Sequence, residues 1–299
     1  MPNIDDNDKK NQRKISITGV VPYYRKVKAN NGSIWLTQAS QLFMQSKAVW
    51  TGISAFIMFI SIIPLSAIFM PLIVGGLMIG CSQISPSTPI KFDHLFSGLK
   101  NNSRELIILS IIYGALAIIA SLVTHYLTLS LGYDMSKLIP SDLNTQNPND
   151  VMNWMQSIDQ QKFLITFLLN LLILLALMIP IFMAFWFAPA LIVDRKMKSL
   201  DALSLSFKAC KENTMAFFIY GLVAFGYLMA FFFFIGLSLI IVPPLSFIAF
   251  ILGYLAAFAI AIISIYTAYV DIFDDPENDS DENRSTSEKT DSPSDSMLA

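Results

Sequence analysis

Charge is scarce in this 299-residue sequence, and it is missing in blocks. Charged side chains make up 14% of the chain, against about 25% in an ordinary soluble domain. No Asp, Glu, Lys or Arg occurs in residues 48–90, 106–133, 163–193 or 213–270. An apolar run of about 18 or more uncharged residues is long enough for a helix to cross the hydrocarbon of a bilayer. A soluble globular domain is therefore excluded. Cysteine is rare too: Cys81 and Cys210 form no CxxC pair and read as small apolar packing residues. The two histidines, His94 and His125, fall on opposite expected sides of the membrane and cannot share a metal. HExxH, GxSxG and paired intramembrane acids are all missing. The reading is no enzyme, with no catalytic residue, metal or cofactor, and no nucleic acid as partner. The first 47 residues are polar, so no cleavable signal peptide is expected.

Apolar runs fill the gaps that charge leaves. Residues 48–81 are too long for one span, since thirty-odd helical residues reach roughly 50 Å against about 30 Å of hydrocarbon. Pro64 offers a break, and Val242-Pro243-Pro244 divides the last block. The expected fold is an all-α polytopic membrane bundle, with six spans near 48–63, 65–83, 105–130, 163–190, 214–241 and 244–270. Basic residues test the count. Lys9, Lys10, Arg13, Lys14, Arg25, Lys26, Lys28 and Lys47 precede the first span. Lys91, Lys100 and Arg104 follow the second, and Arg195, Lys196, Lys198, Lys208 and Lys211 follow the fourth. The positive-inside rule puts these segments in the cytoplasm. They share one side only if residues 48–81 cross twice, and both termini are then expected inside.

Three stretches between spans carry helical apolar stripes. In residues 199–211, Leu200, Leu203, Phe207 and Cys210 recur at helical spacing, with Asp201, Ser204, Lys208 and Lys211 opposite. Residues 92–100 place Phe92, Leu95, Phe96 and Leu99 on one face, ending at Lys100. Before the first span, Trp35, Ala39, Leu42 and Phe43 form a stripe, with Gln38, Gln41 and Gln45 opposite. Each predicts an amphipathic helix, suited either to the cytoplasmic leaflet or to packing on the chain's own bundle. Three copies of one unit, an amphipathic helix and then two spans, describe this pattern as a threefold internal repeat.

Residues 187–213, the upstream PLIVGGLMIG and the ending Tyr266-x-x-Tyr269-x-Asp271-Ile272-Phe273 resemble a family of bacterial six-span inner-membrane proteins of unknown function. The likeness covers roughly residues 30–273. A weaker similarity of pattern extends to the membrane part fused to some glycerophosphodiester phosphodiesterases. The resemblance implies a location and a fold and no catalytic residues.

Asp271 admits two readings: the first charge after an aromatic interface belt, or a specific partner for a basic residue such as Lys208 or Lys100. Ser121, Thr124, Thr166 and Asn170 lie within spans as hydrogen-bonding partners between helices or as the lining of a neutral pathway. Gly76 and Gly80 make a GxxxG face for close approach within the chain or between chains. Residues 151–158 predict a short outer helix capped by Asn149 or Asp150. Residues 1–31 are expected to be flexible. Residues 274–299, with nine acidic and two basic side chains, are expected to be disordered.

The leading expectation is a non-enzymatic scaffold or accessory protein organising lipid or a partner complex. Its working surface would be Trp35, Phe43, Phe96, Lys100, Leu203, Phe207, Lys208, Lys211, Tyr266, Tyr269 and Asp271. Membrane lipids, anionic ones above all, are the expected partners, with a protein partner or a second copy of the chain as further ones. The alternative is a facilitator for an apolar or lipid-like molecule.

Overall fold

The computed structural model describes residues 24–63, 69–84, 89–100, 103–132, 144–157 and 159–273. Among these the chain is helical throughout, with no strand. The order is α1 (Asn31–Gln45), α2 (Lys47–Ser61), α3 (Met70–Ser82), a 3₁₀ turn (Phe92–Phe96) leading into the short α4 (Ser97–Lys100), and α5 (Ser103–Ser130). Then come α6 (Pro148–Ser157), α7 (Gln160–Phe185), α8 (Ala188–Arg195), α9 (Ser199–Glu212), α10 (Thr214–Ile241) and α11 (Pro243–Phe273). The break expected at Pro64, the residues before Tyr24 and the acidic tail 274–299 lie outside the described residues.

Among the described residues, four helices are long and apolar enough to cross a membrane: α5 with 28 residues, α7 continued by α8 with 36, α10 with 28 and α11 with 31. Helices α1 and α2 make a fifth candidate only if counted as one element bent by 103°. The expected spans 48–63 and 65–83 are instead α2 and α3, of 15 and 13 residues. At 1.5 Å per residue they reach about 22 and 20 Å, short of the roughly 30 Å of a bilayer core. The long helices form two antiparallel hairpins. Tyr113 of α5 meets Phe185 of α7, their ring centroids 5.2 Å apart. Phe231 of α10 stacks on Phe250 of α11 at 6.0 Å, and Ser238 hydrogen-bonds Ser246.

The core lies at one end of these hairpins. Trp35, Trp50, Leu106, Leu191, Ile192, Phe187 and Phe273 are buried there, whereas Phe232, Phe233, Ile240 and Phe247 on the far half of the α10–α11 hairpin are exposed. Each hairpin packs within itself and on this base, with no extensive contact between the two. Lipid tails are as apolar as leucine, so burial supplies little drive for helices to associate in the bilayer. Close packing therefore concentrates in the base.

Helix α3 belongs to the base. A Cβ on Gly75 would lie 3.0 Å from Leu106 near the start of α5 and 3.3 Å from Val193 near the end of α8. The glycine face also meets the 3₁₀ turn and α4: a Cβ on Gly76 would sit 2.5 Å from the His94 carbonyl oxygen. The GxxxG face is thus occupied within the chain. Phe56 of α2 touches Phe92 and Phe96 edge-on, which brings α2 to the same turn. Phe69-x-Pro71 and Phe187-x-Pro189 share one task. Each sets a Phe at the N-cap and a Pro in the first turn of α3 and α8, where the missing N–H costs nothing, and these two helices pack on each other.

The expected repeat is not reproduced as equal copies. Helix α1 lies in the groove of α10 and α11 and is followed by two short helices, whereas the 3₁₀ turn and α9 each precede full hairpins.

Candidate functional site

A helix C-terminus leaves carbonyls without partners and carries partial negative charge. Helix α11 ends with an aspartate there, an unfavourable choice that needs donors. Arg25 supplies most of them. Its backbone N–H donates to the Ile272 carbonyl at 2.9 Å, and its Nε donates to the Asp271 carbonyl at 2.6 Å. Its Nη2 reaches Asp271 Oδ1 at 2.8 Å. Arg195 caps the Phe273 carbonyl and lies over the Phe273 ring, 5.7 Å from its centroid. The second carboxylate oxygen of Asp271 accepts from Asn31 Nδ2 at 2.7 Å and from the Trp35 indole at 2.8 Å. Asp271 is therefore a specific partner, but of Arg25, Asn31 and Trp35 rather than of Lys208 or Lys100.

Residues 24–31, expected within the flexible segment, form a strap held by these bonds. Asn213, buried between α9 and α10, accepts from the Val27 N–H at 2.8 Å and donates to the Arg25 carbonyl at 3.1 Å. The Tyr24 hydroxyl donates to Glu212 at 2.8 Å. Burial first, then the hydrogen bond and negative charge of Glu212, push the Tyr24 phenol up to about 12. Glu105 performs a similar join: its carboxylate accepts from the Ser199 N–H at 2.9 Å and the Ser199 hydroxyl at 2.7 Å. That sets negative charge at the N-terminus of α9, where the dipole favours it.

The expected working surface divides in two. Trp35, Phe43 and Tyr269 are core residues, at 1%, 8% and 5% exposure, so they are not open to lipid. Trp35 packs on Phe217 and Tyr220, and Tyr269 donates to Asp194 at 2.5 Å. Tyr266 and Asp271 are half-buried. Phe96, Lys100, Lys208 and Lys211 are exposed, and Leu203 and Phe207 are half-buried.

Helix α9 packs through a face rotated from the expected one. Its buried residues are Ser199, Ala202, Leu205, Ser206, Ala209 and Cys210, mostly small side chains that permit close approach. Ser206 fixes the contact: its hydroxyl donates to the Met183 carbonyl at 2.8 Å and accepts from the Phe187 N–H at 3.0 Å. Leu200 is left 70% exposed, beside half-buried Leu203 and Phe207. On the 92–100 connection only Leu95 and Gly98 are buried, leaving Phe92, Phe96 and Leu99 outward. Burial pushes the Cys210 thiol up to about 12, against a small downward pull from Ser206, which fits a packing role.

Three of the polar residues expected between helices bond their own: Thr124 to the Ala120 carbonyl, Thr166 to that of Lys162, and Asn170 to that of Thr166. Other hydroxyls do link helices, Ser238 to Ser246 and Tyr220 to Ser264 between α10 and α11. The outer helix α6 starts at Pro148, with Asn147 rather than Asn149 or Asp150 capping it through a bond from the Asn149 N–H.

A cleft of about 370 Å³ opens between α3, α8 and α11. Met78, Ile79, Ser82, Ala190, Val193, Asp194, Lys196, Tyr266, Tyr269 and Val270 line it. Sequence reasoning named the two tyrosines but missed Asp194 and Lys196, whose only signal was a charged pair ending an apolar block.

Hairpins of apolar helices on a packed polar-edged base define a multi-pass helical membrane protein. None of the family models, curated proteins or solved structures compared with the chain matches it.

Proposed function

We propose that the protein is a non-enzymatic scaffold or accessory protein of the bacterial inner membrane that organises lipid or a partner complex at the cytoplasmic face. One observation carries this reading: the large apolar side chains Leu200, Phe92, Phe96 and Leu99 stay exposed, next to Lys100, Lys208 and Lys211, while small residues do the packing. Such an edge gains from apolar insertion into the interface and from anionic lipid, at about 1 kcal/mol per basic residue near the surface. In this reading the base faces the cytoplasm. Helices α2 and α3 enter the bilayer from that side, as two short crossings or as a re-entrant pair. The packing of α3 against the start of α5 and the ends of α8 and α11 supports the second. Both keep the basic connections on one side, as the six-span resemblance implies. A polar route for a facilitator has less support, because Thr124, Thr166 and Asn170 return to carbonyls of their own helices.

The test is native mass spectrometry of the protein released gently from its own membranes, compared with Leu203→Glu/Phe207→Glu. A stoichiometric protein or a single lipid class, held by the wild type and lost in the inserted variant, is the expected result. A bare wild-type protein, or the same cargo on both, refutes the reading.

A further inference from the structure

Lys196 is the only non-glycine residue at positive φ among the described residues, at φ 52° and ψ 34°. It follows the last residue of α8, where glycine is the favoured choice because a Cβ is penalised in the left-handed region. Its backbone N–H caps the Leu191 carbonyl, a bond that any residue other than proline would make. A lysine held in this conformation points to work for its side chain. That side chain lines the cleft between α3, α8 and α11 together with Asp194.

Asp194 and Lys196 place opposite charges on one cleft without pairing with each other within 4.0 Å among the described ion pairs. Asp194 keeps 58% of its side chain exposed. One of its oxygens accepts from Tyr269 at 2.5 Å, and the Arg195 Nε lies 3.9 Å from that oxygen. Tyr266, half-buried on the cleft, adds an aromatic face, which attracts ammonium groups, while buried Tyr269 holds Asp194 through its hydroxyl. Met78, Ala190, Val193 and Val270 complete apolar walls at the ends of two membrane-crossing helices. At about 370 Å³ the cleft is at the small end of ligand sites, roughly 300–1,000 Å³.

We propose that this cleft binds the headgroup of an aminophospholipid. The primary ammonium meets Asp194 and the Tyr266 face, the phosphate meets Lys196, and the acyl chains leave along the apolar walls. The zwitterion matches a fixed pair of separated opposite charges. A purely anionic headgroup leaves Asp194 repelled, and a trimethylated amine has no N–H for the carboxylate. The inference shares with the proposed function only the placement of the base at the cytoplasmic boundary.

The test uses the full chain in detergent, with phosphatidylethanolamine, phosphatidylcholine and phosphatidylglycerol of identical acyl chains, read by native mass spectrometry. The wild type is expected to prefer phosphatidylethanolamine about tenfold, the worth of one charge-assisted hydrogen bond. Lys196→Gly keeps the backbone that glycine favours, so the variant should stay folded, with unchanged or higher thermal stability, and bind all three lipids about tenfold more weakly, because the phosphate that Lys196 meets is common to them. Asp194→Asn should lose the discrimination against phosphatidylglycerol. Equal binding of the three lipids by the wild type, or undiminished lipid binding by folded Lys196→Gly, overturns the proposal. Displacement by free glycerophosphoethanolamine at equal concentration reassigns the cleft to a soluble ligand and overturns the lipid source. Loss of selectivity with the Leu203/Phe207 cargo intact would sink this inference alone.

Discussion

Replacing Asp271 by Ala should release the strap of residues 24–31 while leaving the membrane hairpins in place. The carboxylate accepts three side-chain donors at 2.7–2.8 Å: Arg25 Nη2, Asn31 Nδ2 and Trp35 Nε1. They are not equal. Trp35 is 1% exposed, so its indole has no water to turn to, and an orphaned buried donor costs about 1–3 kcal/mol. Asn31 is half-buried and loses a charge-assisted bond of about 1.5 kcal/mol. Arg25 keeps 37% of its side chain exposed; water replaces much of what it loses, leaving at most about 1 kcal/mol. Trp35 lies in α1, outside the strap, and is orphaned whether the strap is open or closed, so opening is eased by the Asn31 and Arg25 terms alone, roughly 2 kcal/mol. Limited trypsin digestion of the reconstituted protein, followed by mass at Lys26 and Lys28, reads the opening directly. Where opening is fast relative to cleavage, about 2 kcal/mol corresponds to cleavage about thirtyfold faster. Asp271→Asn retains one acceptor oxygen and should fall between. Asp201→Ala, on the exposed face of α9, should match the wild type. A change of less than about threefold in Asp271→Ala would refute the reasoning, because the backbone bonds to Ile272 and Asn213 would then hold the strap alone.

Gly32 allows α1 to touch α10: a Cβ there would lie 2.1 Å from the Ala216 carbonyl oxygen and 2.6 Å from the Tyr220 nitrogen. Both are backbone atoms, so Gly32→Ala should lower the unfolding midpoint in detergent by the equivalent of about 2–3 kcal/mol, as overpacking does, whereas Gly221→Ala, with open space around it, should not. Topology is checked at Ile63: a cysteine there should resist an impermeant maleimide added from outside if α2 and α3 are re-entrant, and label within minutes if they cross.

The apolar blocks were legible because crossing a bilayer depends on a local property, an uninterrupted run without charge. The last four expected spans correspond to helices for that reason, and the boundaries of α9 fall within a residue of the expected stretch. Residues 48–81 fold as helices of 15 and 13 residues, and hydropathy alone does not distinguish two full spans from two shorter helices packed on a base. Asp271 stood out as the end of the longest uncharged block, yet its partner Arg25 lies 246 residues away in a segment whose composition reads as flexible. Glu105 and Asn213 gave no local signal. Each looks like an ordinary polar residue at a helix end until another helix is brought to it.

Sequence by itself determined that this is a helical, multi-pass membrane protein with basic amphipathic connections, because those features follow from charge and periodicity along the chain. Tertiary structure alone decided which faces of those connections are used. Trp35 and Phe43 turn inward because α10 and α11 offer a groove. Leu200 stays outward because Ala202, Ser206 and Ala209 approach the neighbouring helices more closely. The same apolar stripe can serve core or membrane, and only the neighbours that arrive from distant parts of the chain choose between them.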